Sequence, residues 1–178
     1  MSNSVSVDSK EFRAQVLEMP YRGDSASMVV LLPRCGRGSK TVDWLVQRLK
    51  PKVLVSELKA MPSVSLRVKF PKFSVESTLG DELISTLQKM GIRDLFSSTA
   101  DLTNFTPVRG LLVNGAIHKA LIEVDEEGAE AAAATAFVLN RSRSMPPKTT
   151  FTCNRPFVFF IQDNEANNIL FMGVYRGP

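Results

Sequence analysis

The sequence has 178 residues, enough for one domain of ordinary size. Its hydrophobic fraction of 44% and charged fraction of 22% are typical of a soluble globular protein and are sufficient for a hydrophobic core. The net charge of +4 comes from 22 basic and 18 acidic residues scattered along the chain, which argues against a nucleic-acid-binding protein but permits weak attraction to a polyanion such as a glycosaminoglycan.

The first predicted elements form a hairpin of apolar strands. The pattern predicts a strand at Phe12–Met19, a turn at Tyr21–Asp24, and a second strand at Met28–Leu32, where a continuous apolar run ends at Pro33. A continuous apolar run is typical of a strand that is buried on both faces. Arg34–Lys40 is a predicted loop, whose Gly-Arg-Gly-Ser-Lys sequence lacks the spacing of a phosphate-binding loop.

Two short helices and a strand are predicted next. Thr41 is a suitable N-cap for the first helix, and Pro51 suits the start of a second helix that extends through Leu58. The first helix carries apolar residues at helical spacing, at Val42, Leu45, Val46 and Leu49. The alternation of apolar and polar residues over Ser63–Phe70 then predicts a half-buried strand.

The rest of the sequence contains one more helix and three strands. The helix is predicted by an apolar stripe of Leu83, Ile84, Leu87 and Met90, with Gly91 as its C-terminal cap. A loop is predicted at Ser97–Pro107, and strands are predicted at Ala116–Val124, Phe151–Ile161 and Ile169–Tyr175. Because helices and strands occupy separate blocks without internal repeats, the pattern favours an α+β fold.

The sequence lacks the patterns of a membrane-spanning helix, a signal peptide, a metal site and an enzyme active site. No apolar run approaches the ~18 residues of a membrane-spanning helix, so we expect no membrane partner. Residues 1–10 lack the apolar centre of a signal peptide, so a secreted protein would carry its export signal upstream. No cluster has the spacing of metal ligands, and no motif resembles an enzyme active site. Cys35 and Cys153 are predicted to be free thiols, with Cys153 as a small core residue.

The stretch from Asp125 to Pro147 has no core-forming pattern, although strong strand signals flank it. Its first part, Glu126–Ala136, is rich in alanine and begins with glutamates, which favours an exposed helix or a linker. Its second part, Asn140–Pro147, is polar and basic and ends in two prolines, which favours an exposed, extended segment. If the first part is a strand instead, small side chains occupy both faces, so the segment fits either an exposed loop or an inserted strand.

Several motifs resemble those of the serpins, a family of protease inhibitors. Ten consecutive residues resemble the hinge before the reactive-centre loop of inhibitory serpins: Glu126, Glu127, Gly128, Ala129, Glu130, Ala131, Ala132, Ala133, Ala134 and Thr135. Phe151–Ile161 matches the family signature after that loop, with Asn154, Arg155, Pro156 and Phe157 as its structural residues. Further matches in family order are Leu31-Leu32-Pro33, Ala100-Asp101-Leu102, His118-Lys119-Ala120 and Ile169–Gly173, so the resemblance covers Phe12–Pro178.

The resemblance implies the C-terminal part of a serpin fold: strands of the central sheet, second and third sheets, a few helices, and an exposed reactive-centre loop at about residues 126–149. It implies inhibition by bait and trap, in which a target serine protease cleaves the loop, an acyl-enzyme forms, and the hinge inserts into the central sheet. The protein itself would not be an enzyme. The inhibitor is expected to be a monomer that is secreted, extracellular and glycosylated.

The sequence leaves three neighbouring peptide bonds as candidates for the reactive bond. Counting from Gly128 as in the family places the cut between Ser142 and Arg143. Trypsin-like proteases, whose specificity pocket contains a carboxylate, prefer Arg141-Ser142 or Arg143-Ser144. We therefore expect a trypsin-like target, with Arg141 slightly favoured over Arg143.

The resemblance assigns roles to residues outside the loop as well. His118 is expected to be a hydrogen-bonding latch where the central sheet opens, with partners upstream of this chain. Lys72 and Glu126 match a family pair near the top of that sheet and are expected to form an ion pair. Asn104 and Asn140 each begin an N-glycosylation sequon, and a glycan on Asn140 would obstruct the bait.

One departure from the family concerns length, because a complete serpin is about twice as long as this sequence of 178 residues. The resemblance implies that residues 1–178 are a partial serpin domain that lacks the N-terminal half. We expect the parent protein to be an inhibitor, and this chain alone to be cleaved without trapping, with edge strands prone to aggregate. The alternatives are a non-inhibitory serpin, such as a carrier or chaperone, and a truncated product that acts only as a protease substrate or binding partner. The small hinge residues argue against the non-inhibitory serpin.

Overall fold

The computed structural model describes residues 5–34, 39–62, 64, 66–125 and 150–177. The chain divides into two compact units, the first formed by Met1–Phe73 with Asp125–Pro178 and the second by Ser74–Val124. The described residues form helices and sheets in separate blocks, which confirms the predicted α+β fold. Within these residues, none of the helices has the length and apolar composition needed to cross a membrane.

The described residues form nine strands, three α-helices and one 3-10 turn. The strands are β1 Val5–Ser9, β2 Ala14–Pro20, β3 Ala26–Pro33, β4 Arg67–Lys69, β5 Phe73–Leu79, β6 His118–Val124, β7 Thr150–Thr152, β8 Phe157–Asp163 and β9 Asn168–Tyr175. The helices are α1 Ser39–Arg48, α2 Pro51–Ala60 and α3 Asp81–Lys89, and the 3-10 turn spans Asp94–Phe96.

The first unit is built on a five-stranded antiparallel sheet in the order β1-β2-β3-β8-β9. Leu31 of β3 lies opposite Val16 of β2 and Val158 of β8, so these three side chains share one face of the sheet. That face packs with Val42 and Leu45 of α1 into a core of fully buried side chains. Every residue of β3 after Ala26 is buried, as its continuous apolar run predicts.

The opposite face of the same sheet carries a cluster of aromatic rings. Its members are Phe70, Phe73, Phe157, Phe159 and Tyr175, with ring centroids 4.9 to 6.2 Å apart. Gly173 of β9 lies opposite Phe159 of β8, and a Cβ atom at position 173 would overlap the Phe159 ring. A glycine is therefore required where β9 passes this ring.

Three predicted boundaries in the first unit are wrong for identifiable reasons. The predicted strand Phe151–Ile161 is divided into β7 and β8, because the chain leaves one sheet at Cys153 and joins another after Pro156. Of the strand predicted at Ser63–Phe70, only Arg67–Lys69 among the described residues forms a strand, β4, which pairs in parallel with β7 over three residues, and Ser63 and Ser65 lie outside the described residues. Helix α1 begins at Ser39, so Thr41 lies inside its first turn and is not the N-cap.

The second unit contains the two-stranded sheet β5-β6, helix α3 and the segment between them. The helix ends as predicted at Gly91, which has a positive φ of 104° and donates its N–H to the Gln88 carbonyl at 3.1 Å. The apolar stripe of α3 is only partly covered: Leu83, Ile84 and Leu87 are half-buried. Met90, the last residue of that stripe, is 73% exposed.

Candidate functional site

The predicted reactive-centre loop, residues 126–149, lies outside the described residues. This applies to the hinge Glu126–Thr135, to Asn140, and to the reactive-bond residues Arg141–Ser144, all of which stay predictions. The two strands that hold the ends of this loop are described: β6 ends at Val124, and β7 begins at Thr150.

On the C-terminal side, the loop is anchored by a short parallel pairing. Phe151 of β7 lies opposite Val68 of β4, and its side chain is 3% exposed. The pairing is prolonged by the backbone N–H of Cys153, which donates to the carbonyl of Lys69 at 2.9 Å. An apolar side chain and a ladder of backbone hydrogen bonds therefore fix the chain immediately after the loop.

The thiol of Cys153 belongs to this anchor and not to a reactive site. Cys153 is buried and free, as predicted, whereas Cys35 lies outside the described residues. Burial raises the pKa of the Cys153 thiol to about 12, although the guanidinium of Arg155 acts in the opposite direction. Since the thiolate is the nucleophilic form, this cysteine is unreactive at neutral pH.

Arg155 connects the segment after the loop to the end of β3. Its Nε–H donates to the backbone carbonyl of Pro33 at 2.6 Å, and its Nη1 donates to Asn154 Oδ1 at 3.3 Å. The contact joins residues 122 positions apart in the sequence, and it satisfies a carbonyl at the end of a strand. Pro156 and Phe157 follow as buried residues, whereas Asn154 is exposed.

Sequence reasoning missed the partners in this arrangement. The carbonyls of Pro33 and Lys69 accept hydrogen bonds from the signature segment, but backbone acceptors leave no trace in residue identity. The Leu31-Leu32-Pro33 motif was a signal that this strand end matters, although it did not reveal Arg155 as the partner. The requirement for Gly173 beside Phe159 was equally hidden, because the two residues meet only across strands.

On the N-terminal side, the loop continues from β6, which pairs with β5. Ala120, Ile122 and Val124 are half-buried, while Lys119 and the other alternate residues are exposed. Lys119 Nζ lies 2.7 Å from Glu76 Oε1 of β5. The structure thus presents a small two-stranded ribbon with one half-covered face before the loop begins.

The remaining predicted residues, His118, Lys72 and Asn104, are exposed. His118 begins β6, and no side-chain hydrogen bond joins its imidazole to a described residue, so its role as a latch stays a prediction. Lys72 is exposed, and its expected partner Glu126 lies outside the described residues, so that ion pair also stays a prediction. Asn104 is exposed in a turn, and the neighbouring Phe105 is 90% exposed.

Comparison with known proteins identifies the family to which this chain is similar. A family model described as Serpin (serine protease inhibitor) matches residues 1–178. The chain is 41% identical over 175 residues to Serpin B3 of Homo sapiens, and this match covers 95% of the present chain and 43% of Serpin B3. It is 38% identical over 172 residues to the leukocyte elastase inhibitor of Sus scrofa, covering 95% and 45% of the two chains. Antithrombin-III of Homo sapiens is 40% identical over 167 residues, covering 92% and 35%.

Solved structures agree with the sequence matches and confirm the predicted serpin fold. The mouse protein-Z dependent protease inhibitor superposes with a TM-score of 0.72 at 31% identity, covering 99% of this chain and 44% of that one. A thyroxine-binding globulin complex with thyroxine superposes with a TM-score of 0.76 at 26% identity, covering 98% and 44%. The chain therefore spans less than half the length of the proteins that it matches.

Proposed function

Because this chain belongs to the serpin family, we propose that it supplies the bait loop of a serine protease inhibitor. One sequence observation carries the proposal, namely the order of three segments. The predicted hinge, Glu126–Thr135, consists mostly of small residues. It is followed by the polar and basic segment Asn140–Pro147 and then by the Phe151–Phe157 anchor. The names of relatives such as the leukocyte elastase inhibitor support the general class. Because the chain spans less than half the length of these relatives, the target protease and the mechanism of the full-length protein are also proposed.

The proposed mechanism begins with attack by the protease's serine hydroxyl on a carbonyl carbon in the loop. The peptide bond breaks, the amine of the next residue leaves, and an acyl ester joins the loop to the protease. Small hinge side chains then permit the freed strand to enter a sheet beside β6, while the segment after the cut stays held by β7 and Arg155. Among the described residues, β6 pairs only with β5. Stable trapping therefore requires a second strand along the other edge of β6.

A trypsin-like protease is the proposed target, because Arg141 and Arg143 supply the side chains that its acidic specificity pocket binds. The relatives include one named as an elastase inhibitor and one named antithrombin-III, so the names of related chains do not point to a single target. We propose cleavage after Arg141 or Arg143.

The test is incubation with trypsin and with leukocyte elastase, followed by a denaturing gel and mass spectrometry of the products. We expect trypsin to cleave after Arg141 or Arg143, and Arg141→Ala to move all loop cleavage to Arg143. Arg109→Ala, which removes an exposed arginine of the second unit, is the control and should leave the loop products unchanged. A chain extended upstream to the length of its relatives should form a covalent complex that survives denaturation. If that extended chain traps neither protease, the inhibitor proposal fails.

The second candidate function is a carrier without inhibitory activity. It is favoured by the similarity to the thyroxine-binding globulin complex, at 26% identity. The small-residue hinge argues against it, because a loop that never inserts has no need for small side chains at consecutive positions. A hinge variant separates the two functions: Ala132→Arg should convert an inhibitor into a substrate, but it should not affect a carrier.

The cellular setting is also a proposal. A secreted, extracellular glycoprotein would carry a glycan on Asn104, whose exposed turn is accessible to a modifying enzyme. A monomeric state and weak binding of a glycosaminoglycan are expected on the grounds of family resemblance and net charge. Mass spectrometry of the secreted protein before and after glycosidase treatment tests the glycan directly.

A further inference from the structure

A single asparagine of the sequence, Asn114, is followed directly by a glycine, Gly115. Both residues lie in the irregular segment that precedes β6, and both are exposed to solvent. The pair has no part in the proposed inhibitory mechanism. Asparagine is one of the chemically labile residues of proteins, and the residue that follows it decides how labile it is.

The chemistry that threatens an asparagine begins with its own backbone. The nitrogen of the next residue attacks the side-chain carbonyl carbon and closes a five-membered ring. Ring closure requires a nitrogen that is not held in a hydrogen bond, space around that nitrogen, and a backbone that turns easily. Glycine meets the last two requirements, because it has no Cβ atom and adopts a wide range of backbone angles.

The structure supplies what the dipeptide alone does not guarantee. In the described part of the chain, no hydrogen bond engages the Gly115 N–H or the side-chain amide of Asn114. A Cβ atom built at position 115 would meet nothing within 4 Å, so there is room for the ring. The pair lies between two fixed points: the Val113 N–H donates to the Leu95 carbonyl at 3.2 Å, and β6 begins at His118.

Two other asparagines show what protection looks like. The residue after Asn104 is Phe105, whose N–H donates to the Leu102 carbonyl at 2.9 Å, so the attacking nitrogen there is engaged. The side-chain amide of Asn164 donates to the Asp24 carbonyl at 2.8 Å, which fixes the group that would be attacked. Neither restraint is present at the asparagine–glycine pair.

We propose that Asn114 is a site of spontaneous deamidation through a cyclic succinimide. The backbone nitrogen of Gly115 forms a bond to Asn114 Cγ, the bond from Cγ to Nδ2 breaks, and ammonia leaves with the proton of the Gly115 N–H. Water then opens the ring at one of its two carbonyl groups. Opening at the side-chain carbonyl leaves an aspartyl residue at position 114, and opening at the main-chain carbonyl leaves an isoaspartyl residue.

The reaction changes the segment that leads into β6. Either product replaces a neutral amide by a carboxylate, which lowers the net charge of +4 by one. The isoaspartyl product also adds one methylene group to the main chain, because the backbone then runs through the former side chain. The chain therefore acquires an acidic form as it ages, with the alteration four residues before the start of β6.

The test is incubation of the folded 178-residue chain at neutral and mildly alkaline pH, followed by trypsin digestion and mass spectrometry. Trypsin releases Asn114 in the peptide Gly110–Lys119 and Asn104 in the peptide Asp94–Arg109, so each peptide reports on one asparagine. A sample digested without prior incubation corrects for reaction during digestion.

We expect Gly110–Lys119 to give two products of equal mass, each heavier than the original by the difference between an acid and an amide. They should form faster at the higher pH, because the deprotonated backbone nitrogen is the nucleophile. Asp94–Arg109 should stay unchanged over the same time. No heavier form of Gly110–Lys119 would overturn the proposal, as would equal reaction in both peptides. An aspartyl product without its isoaspartyl isomer would show direct hydrolysis and would refute the succinimide.

Two glycine variants test the attacking nitrogen. Gly115→Ala keeps Asn114 but places a methyl group beside the nitrogen, and the open space there lets the chain fold as before. We expect the heavier form of the peptide to be lost over the same incubation. Gly80→Ala adds a methyl group at another open glycine of the second unit and should leave the reaction unchanged. An unchanged rate in a folded Gly115→Ala variant would contradict the assigned role of this nitrogen.

Discussion

The two units of the chain differ sharply in how they bury apolar side chains. In the described part of the chain, nineteen hydrophobic residues are buried, and all of them belong to the first unit, from Phe12 in the turn before β2 to Phe160 in β8. From Ser74 to Val124, which are all described, no residue is buried. Yet the sequence of the second unit carries apolar patterns as regular as those of the first, including the stripe of α3 and the alternation of β6.

The difference shows that an apolar pattern becomes a core only where both faces of an element are covered. Strand β3 is paired on both sides and buried on both faces, whereas β5 and β6 form a ribbon of two strands, which is marginally stable without further packing. The anchor after the reactive-centre loop therefore lies in the more firmly packed unit. The strand beside which the hinge is proposed to insert lies in the less packed one.

The largest expected effect comes from deleting an apolar side chain in each unit. Phe160 is 1% exposed in the core of the first unit, and Leu121 of β6 is 51% exposed. We expect Phe160→Ala to lower the free energy of unfolding by about 3–5 kcal/mol, because it leaves a cavity in a packed core. Leu121→Ala should cost less than about 1 kcal/mol. Denaturant unfolding of both variants measures the contrast, and equal losses would show that the two units are equally packed.

A smaller effect is expected from adding one methyl group to a glycine in each unit. Gly173→Ala places a Cβ atom against the buried ring of Phe159, and we expect a loss of about 1–3 kcal/mol from the overpacking. Gly115→Ala is the matched control, since a Cβ atom there meets nothing within 4 Å. Thermal unfolding compares the two variants. A stable Gly173→Ala variant would mean that the first unit yields more readily than its burial indicates.

The elements with a strong apolar signal could be predicted from the sequence. The continuous run at Met28–Leu32 predicts β3, Pro51 marks the start of α2, and Gly91 marks the end of α3. In each case the signal is local, because a buried strand, a proline at a helix start and a glycine with positive φ are properties of a few neighbouring residues. The family motifs predicted the serpin fold, which periodicity alone does not give, whereas the position of the loop stays a prediction.

The rest could not be predicted, because it depends on contacts between distant residues. Strands β1 and β5 each contain two serines and one acidic residue, which weaken the strand signal, and each strand pairs with a neighbouring strand. The division of Phe151–Ile161 into β7 and β8 depends on which sheet edge is available on either side of Pro156. A cleft beside Trp44 brings together the β1-β2 turn and α1, and no motif links them.

Hydrogen bonds from arginine to a backbone carbonyl give a third comparison. Arg155 Nε–H donates to Pro33 at 2.6 Å in a partly buried position, and Arg93 Nε–H donates to Gln88 at 3.4 Å in an exposed one. We expect Arg155→Met to destabilise the protein by about 1–2 kcal/mol, because the Pro33 carbonyl loses a charged donor, and Arg93→Met by less than about 0.5 kcal/mol. Arg155→Lys should recover only part of the loss, since an ammonium group does not reproduce the planar guanidinium. The denaturant midpoints of all three variants test this ranking. The ranking is wrong if Arg93→Met lowers the free energy of unfolding the most.

The smallest effect is expected from surface ion pairs, where the two units should no longer differ. Lys119–Glu76 in the second unit is 2.7 Å long with side chains 61% and 52% exposed, and Arg34–Asp8 in the first is 2.8 Å long with side chains 46% and 56% exposed. Since water screens both pairs to a similar degree, double-mutant cycles should give a coupling energy of about 0.2–1 kcal/mol for each. The coupling should fall for both pairs as salt is added. A markedly larger coupling for Arg34–Asp8 would show that the packed unit strengthens even its surface contacts, so that the contrast between the units would extend beyond their cores.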